Sequence, residues 1–174
     1  MSHPAQAELE ALAARVGKAL LERGERLATA ESCTGGWISQ CLTAIPGSSD
    51  WFDRGFVTYS NEAKEEMLGV PLDVLQTQGA VSEATVAAMA QGALAKSRAQ
   101  WTLAVSGIAG PAGGSPAKPV GTVCFAWAGP DGLLEVSTRH FPGDREGVRA
   151  DTVQEALAGL LALLDRLQQA PALA

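Results

Sequence analysis

Three nucleophilic side chains stand in a row at Ser32, Cys33 and Thr34, within "ATAESCTGGW", and run directly into Gly35 and Gly36. Each can attack a carbonyl carbon once a neighbouring base takes its proton. The segment "RLATA" before them reads as a short strand, and a helix to about Thr43 follows. The triplet therefore occupies a strand-to-helix turn, where backbone N–H groups lacking helical partners can stabilise an oxyanion. Glycine costs a helix interior about 1 kcal/mol relative to alanine, so Gly35 and Gly36 imply close approach of the backbone to something. The plain alternative is that Ser32 or Thr34 caps the helix and Cys33 is a small core residue. The pattern alone leaves both open.

A serine needs a base. The segment "TYSNEAK" supplies Lys64, one helical turn beyond Ser60 and Asn61, either of which can cap the helix "EAKEEML". A lysine at a helix N-terminus faces the positive end of the dipole, and burial would lower its pKa further towards general-base range. Glu62, Glu65 and Glu66 would oppose that if close, and a lysine there is more commonly an ordinary solvated side chain. Tyr59, the only tyrosine, suits a substrate contact or a core aromatic equally. The two histidines are His3 and His140, the second within or at the end of a strand, so a Ser-His-Asp triad is poorly supported. A serine with a lysine base is the natural alternative, although the Ser32-to-Lys64 spacing excludes the S-x-x-K form.

A third stretch, "GIAGPAGGSPAKP", holds Gly107, Gly110, Gly113, Gly114, Ser115 and Lys118 and cannot be regular structure. It fits neither G-x-x-x-x-G-K-[ST] nor G-x-G-x-x-G. It can still present N–H groups and a cation to an anion, and "FPGDR" adds Arg145 at a helix N-terminus. Structural turns account for the same glycines equally well.

These loops need a frame. Hydrophobic residues form 47% of the 174 and charged residues 18%, the balance of one folded domain spanning 1–174. A net charge of −6 with no basic block argues against nucleic acid or an anionic membrane as partner. Cys33, Cys41 and Cys124 make neither a disulfide framework nor a zinc site, and no metal or other cofactor is expected. Neither a signal peptide nor a membrane-spanning run is visible, so a cytoplasmic protein is expected.

Apolar spacing predicts helices over residues 5–23, 72–76, 82–96 and from Asp144 to about Gln168. Strands are predicted at "RGFVTYS", "WTLAVS", "VGTVCFAWA" and "LLEVSTRHF", the last two joined as a hairpin by "GPDG". In the last helix Val153, Leu157, Leu160, Leu164 and Leu167 form one stripe while Leu161 and Leu163 point elsewhere, as in a central helix or a subunit contact. The expected fold is α/β: a three-layer α/β/α sandwich with a mixed sheet.

Taken together and in order, "ATAESCTGGW", "GSSDWFDRGFVTYSNEAK", "GAVSE" and "SGIAGPAGGSPAKPVGTV" closely resemble the CinA C-terminal domain family, from about Val16 to Leu167. Its members are nicotinamide-nucleotide amidohydrolases. The resemblance implies hydrolysis of nicotinamide mononucleotide (NMN) to nicotinic acid mononucleotide and ammonia, a serine/lysine dyad at Ser32 and Lys64, and a homo-oligomer, with a dimer favoured. It also implies the stand-alone form of the domain. In that frame Tyr59 positions the dyad or bonds the carboxamide, and Cys33, Thr34, Gly35 and Asn61 shape the site around it. Glu31 or Tyr59 suits the cationic ring; the glycine loop with Ser115, Lys118 or Arg145 suits the phosphate. The rivals are a nucleotide- or partner-binding module without catalysis and an amidase for another small carboxamide.

Overall fold

The computed structural model describes residues 3–169. The elements run α1 (Gln6–Arg23), β1 (Leu27–Glu31), α2 (Trp37–Thr43), β2 (Phe52–Val57), α3 (Asn61–Leu68), α4 (Leu72–Gln78), α5 (Glu83–Ala95), β3 (Trp101–Gly107), β4 (Thr122–Ala128), β5 (Leu134–His140) and α6 (Arg145–Gln169). The sheet has the order β2-β1-β3-β4-β5. β2, β1 and β3 are parallel, whereas β4 and β5 add on antiparallel as the hairpin that "GPDG" predicts.

Alternation along the strands divides the core in two. Leu103, Val105, Val123, Phe125 and Trp127 point to one face, where they meet α1, α2 and α6. Ala104, Cys124, Ala126 and Ala128 point to the other, against α5 and the ends of α3 and α4. Small residues on that second face let the helices come close. A Cβ on Gly92 of α5 would lie 2.0 Å from the Leu68 carbonyl oxygen, so α3 is pinned onto α5 by direct backbone approach.

Three details depart from the sequence reading. β2 begins at Phe52 and ends at Val57 rather than covering 54–60, because its pairing with β1 runs from Leu27↔Phe52 to Glu31↔Val57. Ser60 is thereby released to cap α3. α4 continues to Gln78. In α6, Leu161 and Leu163 are buried inside the same chain while Leu167 is 38% exposed, which makes the helix central and leaves the stripe's end at the surface.

Candidate active site

The chain leaves β1 through α2 on one face to reach β2, then returns through α3, α4 and α5 on the other face to β3. β2 and β3 flank β1, so the crevice at the carboxyl end of β1 is a topological switch point, the usual ligand site of open α/β sheets. Ser32 stands there, its N–H donating to the Val105 carbonyl at 3.1 Å.

The turn after Ser32 is built around a buried charge. Gly35 (φ 61°) and Gly36 (φ 100°) hold left-handed conformations that other residues adopt at a cost, and they bend the chain tightly into α2. The bend brings four donors to the fully buried Glu31 carboxylate. It accepts from the Thr34 hydroxyl (2.7 Å), the Ile38 N–H (2.8 Å), the Ser39 N–H (2.9 Å) and the Ser39 hydroxyl (2.7 Å). Two of these donors are orphan amides of the α2 N-terminus, which favours a negative charge. Glu31, considered in sequence for a cationic ring, is thus turned into the protein and saturated. Thr34 is buried with it, and its hydroxyl serves Glu31.

From outside, Arg149 of α6 clamps the same turn: its Nε donates to the Cys33 carbonyl and its Nη2 to the Thr34 carbonyl, both at 3.0 Å. Its guanidinium lies 5.2 Å from the centre of the Trp37 ring. With carbonyls and carboxylate so occupied, the N–H groups of Cys33 and Thr34 meet no acceptor from another described residue.

α3 brings Lys64 to the same crevice. Ser60 is its cap, accepting from the Ala63 N–H at 3.0 Å, so Asn61 is the exposed first helical residue. Lys64 is 1% exposed, against the solvated position its residue type suggests. Its Nζ lies 3.0 Å from Ser32 Oγ and 2.7 Å from the Thr58 carbonyl. Burial pushes its pKa below that of an ordinary amine, and Glu62, Glu65 and Glu66 are all exposed. The Cys33 thiol is pushed up to about 12, chiefly by burial, and stays protonated at neutral pH.

Ser32, Cys33, Tyr59, Lys64, Ser106 and Arg145 surround an open cavity of about 250 Å³, whose apolar wall is Ala80, Val81 and Ala109. Tyr59 is 63% exposed at its mouth, and its hydroxyl accepts from Arg145 Nη2 at 3.2 Å. Arg145 also donates to the Gly110 carbonyl at 2.8 Å.

The long glycine loop is divided. Gly107 lines the cavity and Gly110 reaches it through Arg145, whereas Gly113, Gly114 and Ser115 are exposed and line no part of it. Lys118 directs its ammonium to the Gln78 carbonyl at 2.8 Å. His140 is exposed on β5, with β3 and β4 between it and β1. A larger cavity of about 430 Å³, around Gly129 and Leu133, lacks any nucleophile–base pair. Among the described residues no cluster of three or more His, Cys, Asp and Glu could hold a metal ion, and no helix is long and apolar enough to cross a membrane.

Sequence reasoning missed Ser106, Arg149 and the Thr58 carbonyl. Arg149 had a signal, four residues after Arg145 on one helix. Ser106 had one too, as a polar residue closing the buried run "WTLAV".

Fold and site together define a class: a three-layer α/β/α protein with a buried serine–lysine contact at the switch point of a mixed sheet. The chain belongs to the CinA C-terminal domain family, which it matches over residues 9–164. It is 53% identical to the nicotinamide-nucleotide amidohydrolase PncC of Escherichia coli (strain K12) over 153 residues, covering 88% of this chain and 93% of that one. It is 54% identical to the PncC of Pseudomonas putida, covering 87% and 94%. Among solved structures, the competence/damage inducible protein CihA of Agrobacterium tumefaciens superposes with a TM-score of 0.87 at 47% identity, covering 94% of this chain and 98% of that one.

Proposed function

We propose that this protein hydrolyses the carboxamide of NMN to nicotinic acid mononucleotide and ammonia, with Ser32 as nucleophile and Lys64 as general base. The observation that carries the mechanism is the 3.0 Å contact between Ser32 Oγ and the buried Lys64 amine nitrogen, whose other partner is the Thr58 carbonyl rather than a carboxylate. The substrate is carried by the relatives, more than half identical over nearly their whole length and named for this reaction.

Neutral Lys64 takes the Ser32 proton while its own N–H stays on the Thr58 carbonyl, and Ser32 Oγ attacks the carboxamide carbon. The free N–H groups of Cys33 and Thr34 stabilise the tetrahedral oxyanion. Lys64 then protonates the departing nitrogen, ammonia leaves, and water hydrolyses the acyl-serine by the same route. Cys33, held as a thiol, is not the nucleophile.

A cavity of about 250 Å³ lies below the roughly 300–1,000 Å³ of sites that enclose a whole drug-sized ligand. It suits the ring and carboxamide, with ribose and phosphate emerging past the mouth. There Tyr59 offers its ring face to the pyridinium and Arg145 its guanidinium to the phosphate. Arg145 is better disposed for this than Lys118, which lines no part of the cavity. A cytoplasmic homo-oligomer, in its simplest form a dimer, completes the reading; exposed Val57, Tyr59, Met67 and Leu72 offer apolar surface for such contacts.

The test is ammonia release from NMN by wild type, Ser32→Ala and Cys33→Ala. Release is expected from wild type and, within a few-fold, from Cys33→Ala, whereas Ser32→Ala should lose at least ~10⁴-fold. Silence from wild type overturns the substrate; activity in Ser32→Ala overturns the nucleophile.

A further inference from the structure

Ser106 stands one residue before the end of β3, beside the nucleophile. β1 and β3 are parallel and paired up to Glu31↔Val105, so the next step of that register sets Ser32 alongside Ser106. Their neighbours Glu31 and Val105 turn towards the α2 and α6 side, and alternation sends the next pair to the opposite face, where Lys64 arrives on α3.

Both serines line the same cavity. Ser106 is only 1% exposed, and its hydroxyl forms no hydrogen bond to another described side chain or carbonyl. Its neighbours are unlike it: on the same face of β3, the Thr102 hydroxyl is already spent on the Ala90 carbonyl at 2.8 Å. Among the described residues, the fully enclosed hydroxyls left without a partner are those of Thr58 and Ser137, so the Ser106 oxygen, which no described side chain or carbonyl engages, reaches the cavity surface, where a ligand atom can meet it.

We propose that Ser106 is a substrate-contacting residue that accepts a hydrogen bond from the NH₂ of the reacting carboxamide; this rests on the amidohydrolase reading above. The oxyanion side of the carbonyl already has donors in the Cys33 and Thr34 N–H groups, and an amide bound there still needs an acceptor for its nitrogen. Ser106, on the strand adjoining Ser32, provides one. It fixes the rotation of the amide plane, so that the nitrogen faces Lys64 when the leaving group must be protonated. An ester, which has no N–H to give, draws nothing from this contact.

That difference makes the test. Rates of NMN hydrolysis and of hydrolysis of the methyl ester of nicotinic acid mononucleotide are compared in wild type, Ser106→Ala, Ser106→Cys and Ser106→Thr, with thermal unfolding of each. Ser106→Ala and Ser106→Cys should lose about 10- to 100-fold in kcat/KM for the amide, the worth of one hydrogen bond in a water-poor site, and stay within about threefold for the ester. Ser106→Thr, which keeps the hydroxyl, should restore the amide rate. Equal losses on amide and ester in both Ala and Cys variants would mean that Ser106 only supports the fold, and an undiminished amide rate would mean that it touches nothing. A wild type inactive on NMN removes the amidohydrolase reading and this contact with it, whereas an active wild type with an unchanged amide-to-ester ratio in the variants sinks Ser106 alone.

Discussion

The loops that follow β1 and β3 look alike as sequence, each a glycine-bearing strand end with hydroxyls and a charge within reach, and the fold treats them in opposite ways. The first wraps a fully buried carboxylate with four hydrogen bonds, is clamped at two carbonyls by Arg149, and presents Ser32 to a buried amine. The second is tied at its base, where the Ile108 N–H donates to the Thr122 carbonyl and the Gly121 N–H to the Ile108 carbonyl, and then runs through solvent from Pro111 to Ala117. Glycine content says where a chain bends; the bonding of buried charge says where it has been made rigid enough for chemistry.

The contrast can be broken most forcefully at Lys64. Lys64→Met should lower kcat by about 10²–10⁴-fold, the worth of a general base. The stability of the wild type should also carry a pH signature. The native amine releases its proton below the ordinary value near 10.4, so between the native and unfolded pKa values the unfolded chain binds more protons and stability rises with pH. Below the native value the full penalty applies. Lys64→Met has no proton to bind, so its stability should vary less between neutral pH and pH 10, and its advantage or deficit relative to wild type should shift towards a deficit as pH rises. Parallel denaturation curves for the two proteins at every pH would contradict a depressed Lys64.

The next largest effect belongs to the clamp inside the first loop. Glu31→Gln replaces an acceptor with a donor that faces amide and hydroxyl donors in a buried site, and should cost about 2–4 kcal/mol in urea unfolding. Ammonia release should fall with it, because the turn that aims Ser32 loses its anchor. A variant as stable as wild type would show that the carboxylate is dispensable and that the first loop is no more organised than the second.

The smallest effect is expected in the second loop. Lys118→Ala removes a bond to the Gln78 carbonyl at a partly exposed site, and should leave kcat unchanged and raise the KM for NMN by no more than about threefold. A tenfold rise would move phosphate recognition from Arg145 to this loop and erase the asymmetry between the two.

Much of this frame is legible in the sequence because it is local. The α1 stripe, the Ser82 cap of α5, the buried run of β3 and the "GPDG" hairpin each follow from a few neighbouring residues. What stayed hidden depends on partners far along the chain. Lys64 reads as a surface lysine because nothing near it announces that Gly92 will let α3 sink against α5 and carry the amine to Ser32, 32 residues earlier. Glu31 reads as a ligand group for a cation because the donors that claim it gather only once Gly35 and Gly36 have turned the chain. The Ser32–Lys64 pairing was reached through resemblance, and the spacing of the two residues alone would not have singled it out.

The Arg149 clamp spans 116 residues of sequence to the Cys33 carbonyl. Contacts of such separation must close a long loop, at an entropic cost that grows with the logarithm of its length. As the chain leaves the ribosome, β1 and the turn emerge long before the helix that must brace them. The nascent protein therefore carries Ser32 through most of synthesis without the brace on its turn, and that turn gains its full set of bonds only once α6 docks.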